Sequence, residues 1–172
     1  KLSFTHSLPG RALQMNAGAQ IAKGDWLLFH HADSALSGAG VQAIGELPAA
    51  VNWGGFRHRF TPNNWKLRLV SLAHNLRCRL EGAIYGDQSM FARREFFQSL
   101  GGFPEAELED LKFSDLALQK APSCLLPHYV DTSSRKFLDI GEFKALWQVV
   151  SIVYRYQHEK PVGNESFFKP YR

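Results

Sequence analysis

The run Trp26-Leu27-Leu28-Phe29-His30-His31-Ala32-Asp33 constrains the fold most, because four large apolar residues give way abruptly to histidines and an acid. A short apolar run bounded by the turn pair Gly24-Asp25 reads as a buried strand. Its polar end then delivers one carboxylate to the edge where open α/β sheets bind ligands. Just upstream, residues 10–23 place Ala12, Met15, Ala19 and Ala22 at helical spacing. A helix that feeds a buried strand predicts an α/β chain.

The pattern continues in the same alternation. Residues 37–47 predict a short helix ended by Pro48, and 51–61 an aromatic-rich strand in which Gly54-Gly55 marks a bulge or a close approach. In the stretch 65–80, Trp65, Leu69, Leu72, Ala73, Leu76 and Leu80 share one face. That predicts a helix whose apolar face joins the core and whose back, with Lys66, Arg68, Arg77 and Arg79, is solvated. A basic amphipathic helix on an anionic membrane surface is the alternative. Residues 88–93 read as a strand, 95–100 as a helical turn, Gly101-Gly102-Phe103-Pro104 as a loop, and 108–119 as a helix. A strand at 125–130 and a polar loop at 131–136 follow, then a final helix carrying Phe143, Leu146, Trp147, Val150 and Tyr154. The end from Pro161, with Phe167, Phe168 and Tyr171 in a basic tail, reads as loose.

With 172 residues and neither repeat nor linker, one domain spanning 1–172 is expected. No apolar run approaches the roughly 20 residues of a membrane span. The net charge of +4 suits an anionic partner such as a nucleotide diphosphate or a lipid headgroup. No helix-turn-helix, zinc-finger or RNA-stacking signature accompanies it, so nucleic acid is not an expected partner. Cys78 and Cys124 offer neither a disulfide framework nor metal-ligand spacing, which favours a reducing compartment, the cytoplasm. The chain starts at Lys1 without a signal-peptide pattern and reads as trimmed.

Three constellations carry chemistry. Asp33 is placed to hold a hard divalent cation together with substrate phosphates, or else simply caps the helix that follows. His31, two residues earlier on extended chain, points the same way and is a candidate second ligand or phosphate donor, with His30 turned elsewhere. Glu109-Asp110 lies beyond the glycine-rich turn, where Asp110 is positioned to take a proton from an attacking hydroxyl. The plainer alternative is a pair of acids favouring a helix dipole. Gly10-Arg11 opens a helix carrying Asn16, where backbone N–H groups and a guanidinium jointly suit phosphate, and Asn16 a ribose or amide edge. Asp87-Gln88 and the loop Thr132-Ser133-Ser134-Arg135-Lys136 are candidates to orient a sugar and to close over a diphosphate.

Taken in order, Gly10-Arg11-Ala12-Leu13-Gln14-Met15-Asn16-Ala17-Gly18-Ala19, His31-Ala32-Asp33, Tyr85-Gly86-Asp87-Gln88-Ser89-Met90-Phe91, Gly101-Gly102-Phe103-Pro104-Glu105, Glu109-Asp110 and Thr132-Ser133-Ser134-Arg135 resemble family 2 glycosyltransferases. The branch they look closest to is that of the radical-SAM/selenodomain-associated transferases. The resemblance covers roughly residues 9–136. It implies a GT-A fold, Rossmann-like, with a mostly parallel central sheet flanked by helices. It also implies inverting transfer of a sugar from a nucleotide-sugar donor to an acceptor hydroxyl, assisted by Mg²⁺ or Mn²⁺. On this chain Asp33 matches the last acid of the metal-binding Asp-x-Asp motif, and His31 stands where the family has the first. Asp110 matches the catalytic base. Arg11, Asn16, Asp87, Gln88 and Arg135 match the segments around the nucleotide sugar.

The strand and turn that grip the nucleobase, and a second βα unit, would precede Lys1. The resemblance therefore implies an N-terminally truncated domain whose sheet has an open edge near 26–29, completed by the missing residues, a second copy or another chain. A peripheral membrane or lipid-acceptor contact belongs to the same set of expected partners. The alternative function is a non-catalytic nucleotide-sugar-binding or assembly module that keeps the fold without turnover.

Overall fold

A computed structural model describes residues 3–158, so the expectations for the tail from Pro161 lie outside the described residues. Helix α1 (Arg11–Ile21) leads into β1 (Trp26–Leu28), and a turn at 29–33 leads to β2 (Ser34–Leu36). Helix α2 (Gly38–Gly45) starts where the Ser37 hydroxyl accepts the Gly40 N–H at 3.2 Å. Strand β3 (Trp53–Thr61) precedes α3 (Trp65–Glu81), whose first turn is closed by Asn64 Oδ1 accepting the Leu67 N–H at 3.0 Å. A single 3₁₀ turn (Gly86–Gln88), β4 (Phe91–Arg93), α4 (Arg94–Ser99) and α5 (Glu109–Leu118) come next. Strand β5 (Cys124–Ser133), α6 (Arg135–Ile140) and α7 (Glu142–Gln157) follow.

The α/β expectation holds, and the mostly parallel sheet does not. Among the described residues, five strands lie in the order β1-β4-β3-β5-β2. Only β3 and β5 run parallel, whereas β4 is antiparallel to both β1 and β3, and β2 is antiparallel to β5. A parallel pair requires a long crossover, and here α3, α4 and α5 supply one, between β3 and β5. The edge strands are three residues each and pair by hydrogen bonds that no local periodicity encodes. The predicted open edge falls on β1, an outer strand of the sheet.

Gly54 makes the central pairing possible: a Cβ there would stand 1.9 Å from the Cys124 carbonyl oxygen. The expected bulge follows, as a register shift between Phe56 and Arg57. On one face of the sheet Trp53, Phe97, Phe103 and Phe113 form a fully or almost fully buried aromatic cluster, with Phe103 and Phe113 centroids 4.9 Å apart. A second cluster joins Ile44, Phe56, Phe91, Leu126 and Val130, and a third gathers Phe60, Leu67, Phe137 and Ala145 beneath α3, α6 and α7.

Helix α3 forms over the predicted residues but the other way round. Leu67, Ser71 and Cys78 are buried, while Trp65, Leu69, Leu72, Leu76 and Leu80 are each more than half exposed. The apolar stripe predicts the core face, whereas the core takes the narrower face of Leu67, Ser71 and Cys78. Among the described residues, no helix is long and apolar enough to cross a membrane.

Candidate functional site

Strands β1 and β2 are neighbours in sequence yet occupy opposite edges of the sheet, so residues 29–33 must cross from one edge to the other. His31 and Asp33 ride on that crossing. They open onto a cleft of about 480 Å³, which they share with Arg11, Asp87, Glu109 and Asp110. The two acids singled out from the sequence, Asp33 and Asp110, thus face one hollow. Across it lie Phe60, Val70, Phe137, Leu146, Val149 and Ile152, so that one wall is charged and the other apolar.

Arg11 organises the charged wall. Its Nε lies 3.0 Å from Glu109 Oε1, and its Nη2 lies 3.3 Å from His31 Nε2. A guanidinium only donates, so His31 Nε2 is the acceptor and the ring is neutral with its proton on Nδ1. Burial, then the nearby Arg11 charge, holds His31 below the ordinary histidine range. Glu109 is buried at the start of α5; burial raises its pKa, with Arg11 opposing the shift and Asp110 adding to it. Asp110 is fixed from two sides: Oδ2 accepts the Gly86 N–H at 2.8 Å and Oδ1 accepts the Leu111 N–H at 3.0 Å. Gly86 is the pivot of this arrangement. A Cβ on it would come within 2.9 Å of Asp110 Oδ2, 3.0 Å of His31 Nε2 and 3.2 Å of Arg11 Nη2.

Lys136 also lines the cleft, at the start of α6. Burial lowers its pKa, with Asp33 opposing and Arg11 reinforcing the shift, so these three charges feel one another inside the hollow. The segment 131–136, expected as a loop, is the end of β5 joined through Ser134 to the start of α6, because residues 131–133 pair with β2 and β3; within it Arg135 is exposed and not part of the cleft wall. Thr132 and Ser133 of the same segment do line it.

The amides of two other candidates are engaged within the protein. Asn16 donates to the Phe103 carbonyl and accepts the Phe103 N–H, both at 2.9 Å, so its amide fastens the 101–104 loop. Gln88 is fully buried; it donates to Phe56 O at 3.1 Å and accepts the Tyr85 N–H at 3.0 Å. Gln88 Oε1 also accepts from Cys78 Sγ at 3.1 Å. Asp87, by contrast, reaches the cleft, with Oδ2 3.8 Å from His58 Nε2 and Oδ1 3.7 Å from His74 Nε2. These two histidines give no motif signal. They arrive from β3 and α3, which only the folded chain brings beside residue 87.

Among the described residues, no three His, Cys, Asp or Glu side chains already converge on one point as a cation cage. Asp33 offers an exposed carboxylate inside the cleft, the kind of group that holds Mg²⁺ or Mn²⁺ jointly with phosphate oxygens. His31 fits that role less well than the sequence suggests, because its Nε2 faces the Arg11 guanidinium.

The buried His58 makes a pH prediction. Burial lowers its pKa to about 4, with Asp87 opposing and His74 adding to the shift. The unfolded chain takes up this proton near pH 6.5, and the folded chain only near 4. Stability is therefore full above about pH 6.5 and falls as the pH drops toward 4, by about 2 kcal/mol between pH 7 and 5. Urea unfolding at the two pH values measures this. His58→Gln is expected to flatten the dependence, and an unchanged slope in that variant would rule His58 out as its source.

Comparison with known protein families and with curated proteins gives no match.

Proposed function

We propose that this cleft transfers a sugar from a nucleotide-sugar donor to an acceptor hydroxyl with inversion at the anomeric carbon. The observation that carries the reading is the meeting of Asp33 and Asp110 in one cleft whose charged wall also holds Arg11 and Lys136. The order of motifs that resembles family 2 glycosyltransferases with a GT-A fold supports it. So does the chemical division of labour.

The donor diphosphate lies against Arg11 and Lys136, whose mutual repulsion an anion relieves. A divalent cation, when bound, is held by the Asp33 carboxylate and supplies Lewis-acid neutralisation of the diphosphate oxygens. The acceptor hydroxyl enters from the side of Asp110. As its oxygen bonds to the anomeric carbon, the bond from that carbon to the diphosphate oxygen breaks and the bonding pair leaves with the diphosphate. Asp110 takes the hydroxyl proton, its carboxylate aimed by the Gly86 and Leu111 N–H groups. His31 stays neutral and holds the Arg11 guanidinium in place rather than serving as a ligand.

Incubation with a panel of nucleotide sugars and simple alcohol acceptors, with and without Mn²⁺, tests the reading through release of nucleoside diphosphate. Metal-dependent release with any donor supports it. Donor binding without release across the panel would favour a binding module.

Gly86→Ala is expected to spare the fold and damage the site. The atoms its methyl would meet are the ends of Asp110, His31 and Arg11, which can swing aside. Displacing them by a fraction of an ångström predicts a turnover loss of roughly tenfold to a hundredfold. The melting temperature should stay near the wild-type value, and unchanged turnover would contradict the placement of Gly86 at the pivot.

A further inference from the structure

We propose that the outer faces of α3 and α7 form a docking surface for an anionic lipid bilayer. On α3, Trp65, Leu69, Leu72, Leu76 and Leu80 are all more than half exposed. On α7, Phe143, Trp147, Val150 and Tyr154 are half exposed or more, on the side opposite the buried Ala145 and Ile152. The two stripes meet: the Lys66 ammonium lies 6.0 Å from the Trp65 ring centroid and 5.1 Å from that of Phe143. An apolar surface of this continuity marks an interaction site.

Charge selects the occupant. At about 100° per residue the α3 stripe occupies one sector, with Arg68 and Arg79 along one border and Lys66 and Arg77 along the other. Lys66 is paired with Glu142 at 2.8 Å and Arg77 with Glu81 at 3.4 Å, so the charge offered to headgroups is that of the Arg68 and Arg79 border. An apolar stripe flanked by Arg68 and Arg79 matches a helix lying in a headgroup layer, those guanidiniums reaching the phosphates. Trp65, Trp147 and Tyr154 are the amphipathic aromatics that such a boundary favours. A second copy of the chain fits less well, since an isologous contact sets the basic borders against each other. The inner sides of the same helices supply Val70, Leu146, Val149 and Ile152 to the apolar wall of the cleft. The docking surface and the cleft thus share their walls, but the docking does not depend on what the cleft catalyses.

Co-sedimentation of the full chain with vesicles tests this, comparing equal parts phosphatidylglycerol and phosphatidylcholine against phosphatidylcholine alone. Binding to the anionic vesicles is expected to exceed binding to the neutral ones. The pair Arg68→Gln with Arg79→Gln should lower the partition coefficient roughly 30-fold. Leu72→Ser with Leu76→Ser should lower it about tenfold or more. All four positions are exposed, so wild-type melting temperatures are expected for both pairs. Absence of binding to anionic vesicles, equal binding to both kinds, or indifference to the leucine pair would overturn the proposal. Dimerisation abolished by the leucine pair, without vesicle binding, would assign the face to a second copy and overturn it as well.

Discussion

Asp110→Asn is expected to lower turnover by about 10² to 10⁴ while leaving donor affinity intact. The amide keeps the size and one acceptor of the carboxylate, so the substituted side chain can still receive the Gly86 N–H that Oδ2 receives in the native chain. The Leu111 N–H loses its acceptor at Oδ1, but it belongs to the first turn of α5 and sits beside an open cleft. The structural cost is therefore about 1 kcal/mol, which a melting curve will show as a small shift. What the amide cannot do is take the acceptor proton. Single-turnover kinetics with a calorimetric donor titration separates the two effects. Unchanged turnover would remove Asp110 from the chemistry, and lost donor binding would make it a ligand instead of a base.

Phe113→Ala carries the largest expected effect on stability, a loss of about 3 to 5 kcal/mol. The ring is fully buried and packs against Phe97 at 5.3 Å, Phe103 at 4.9 Å and Trp53 at 6.3 Å between centroids. It lies on the same helix that presents Glu109 and Asp110, and Phe103 lies in the loop fastened by Asn16. A cavity there loosens both the helix and the loop. Urea midpoints should show the loss, and Phe113→Leu should recover most of it by refilling the volume. A cost below about 1 kcal/mol for the alanine variant would mean that the aromatic cluster is not what anchors α5.

The helices of this chain are legible because their periods are local. The residues of α1, α3, α5 and α7 repeat at helical spacing, and each forms within a few residues of its expected bounds. Which side of α3 faces inward is not legible. A stripe of leucines announces an apolar face, but the period alone does not say whether protein or something else covers it. Four of the sheet's strands, β1, β3, β4 and β5, are legible, but β2 and the pairings are not. Ser34–Leu36 becomes a strand only through its partners Val130 to Thr132 on β5, and the sense of β4 follows from contacts on either side of it.

The site divides in the same way. His31, Asp33, Glu109 and Asp110 are visible because acids and histidines next to strand ends and glycine turns are unusual, and the fold brings them to one cleft. Asn16 and Gln88 clamp backbone, and in sequence such an amide looks the same as one that reads a ligand. Lys136 is named within its segment but not singled out, whereas His58 and His74 stay hidden because their approach to the cleft depends on β3 and α3 lying side by side.

The central claim is that Asp33 and a divalent cation hold the diphosphate of a donor in this cleft. A calorimetric titration of the donor into the wild-type protein and into Asp33→Asn, each with and without Mn²⁺, tests it most directly. Tighter binding with Mn²⁺ in the wild type and no metal effect in Asp33→Asn is the predicted result. Donor affinity indifferent to Mn²⁺ in both proteins, or a metal effect undiminished in Asp33→Asn, would contradict it.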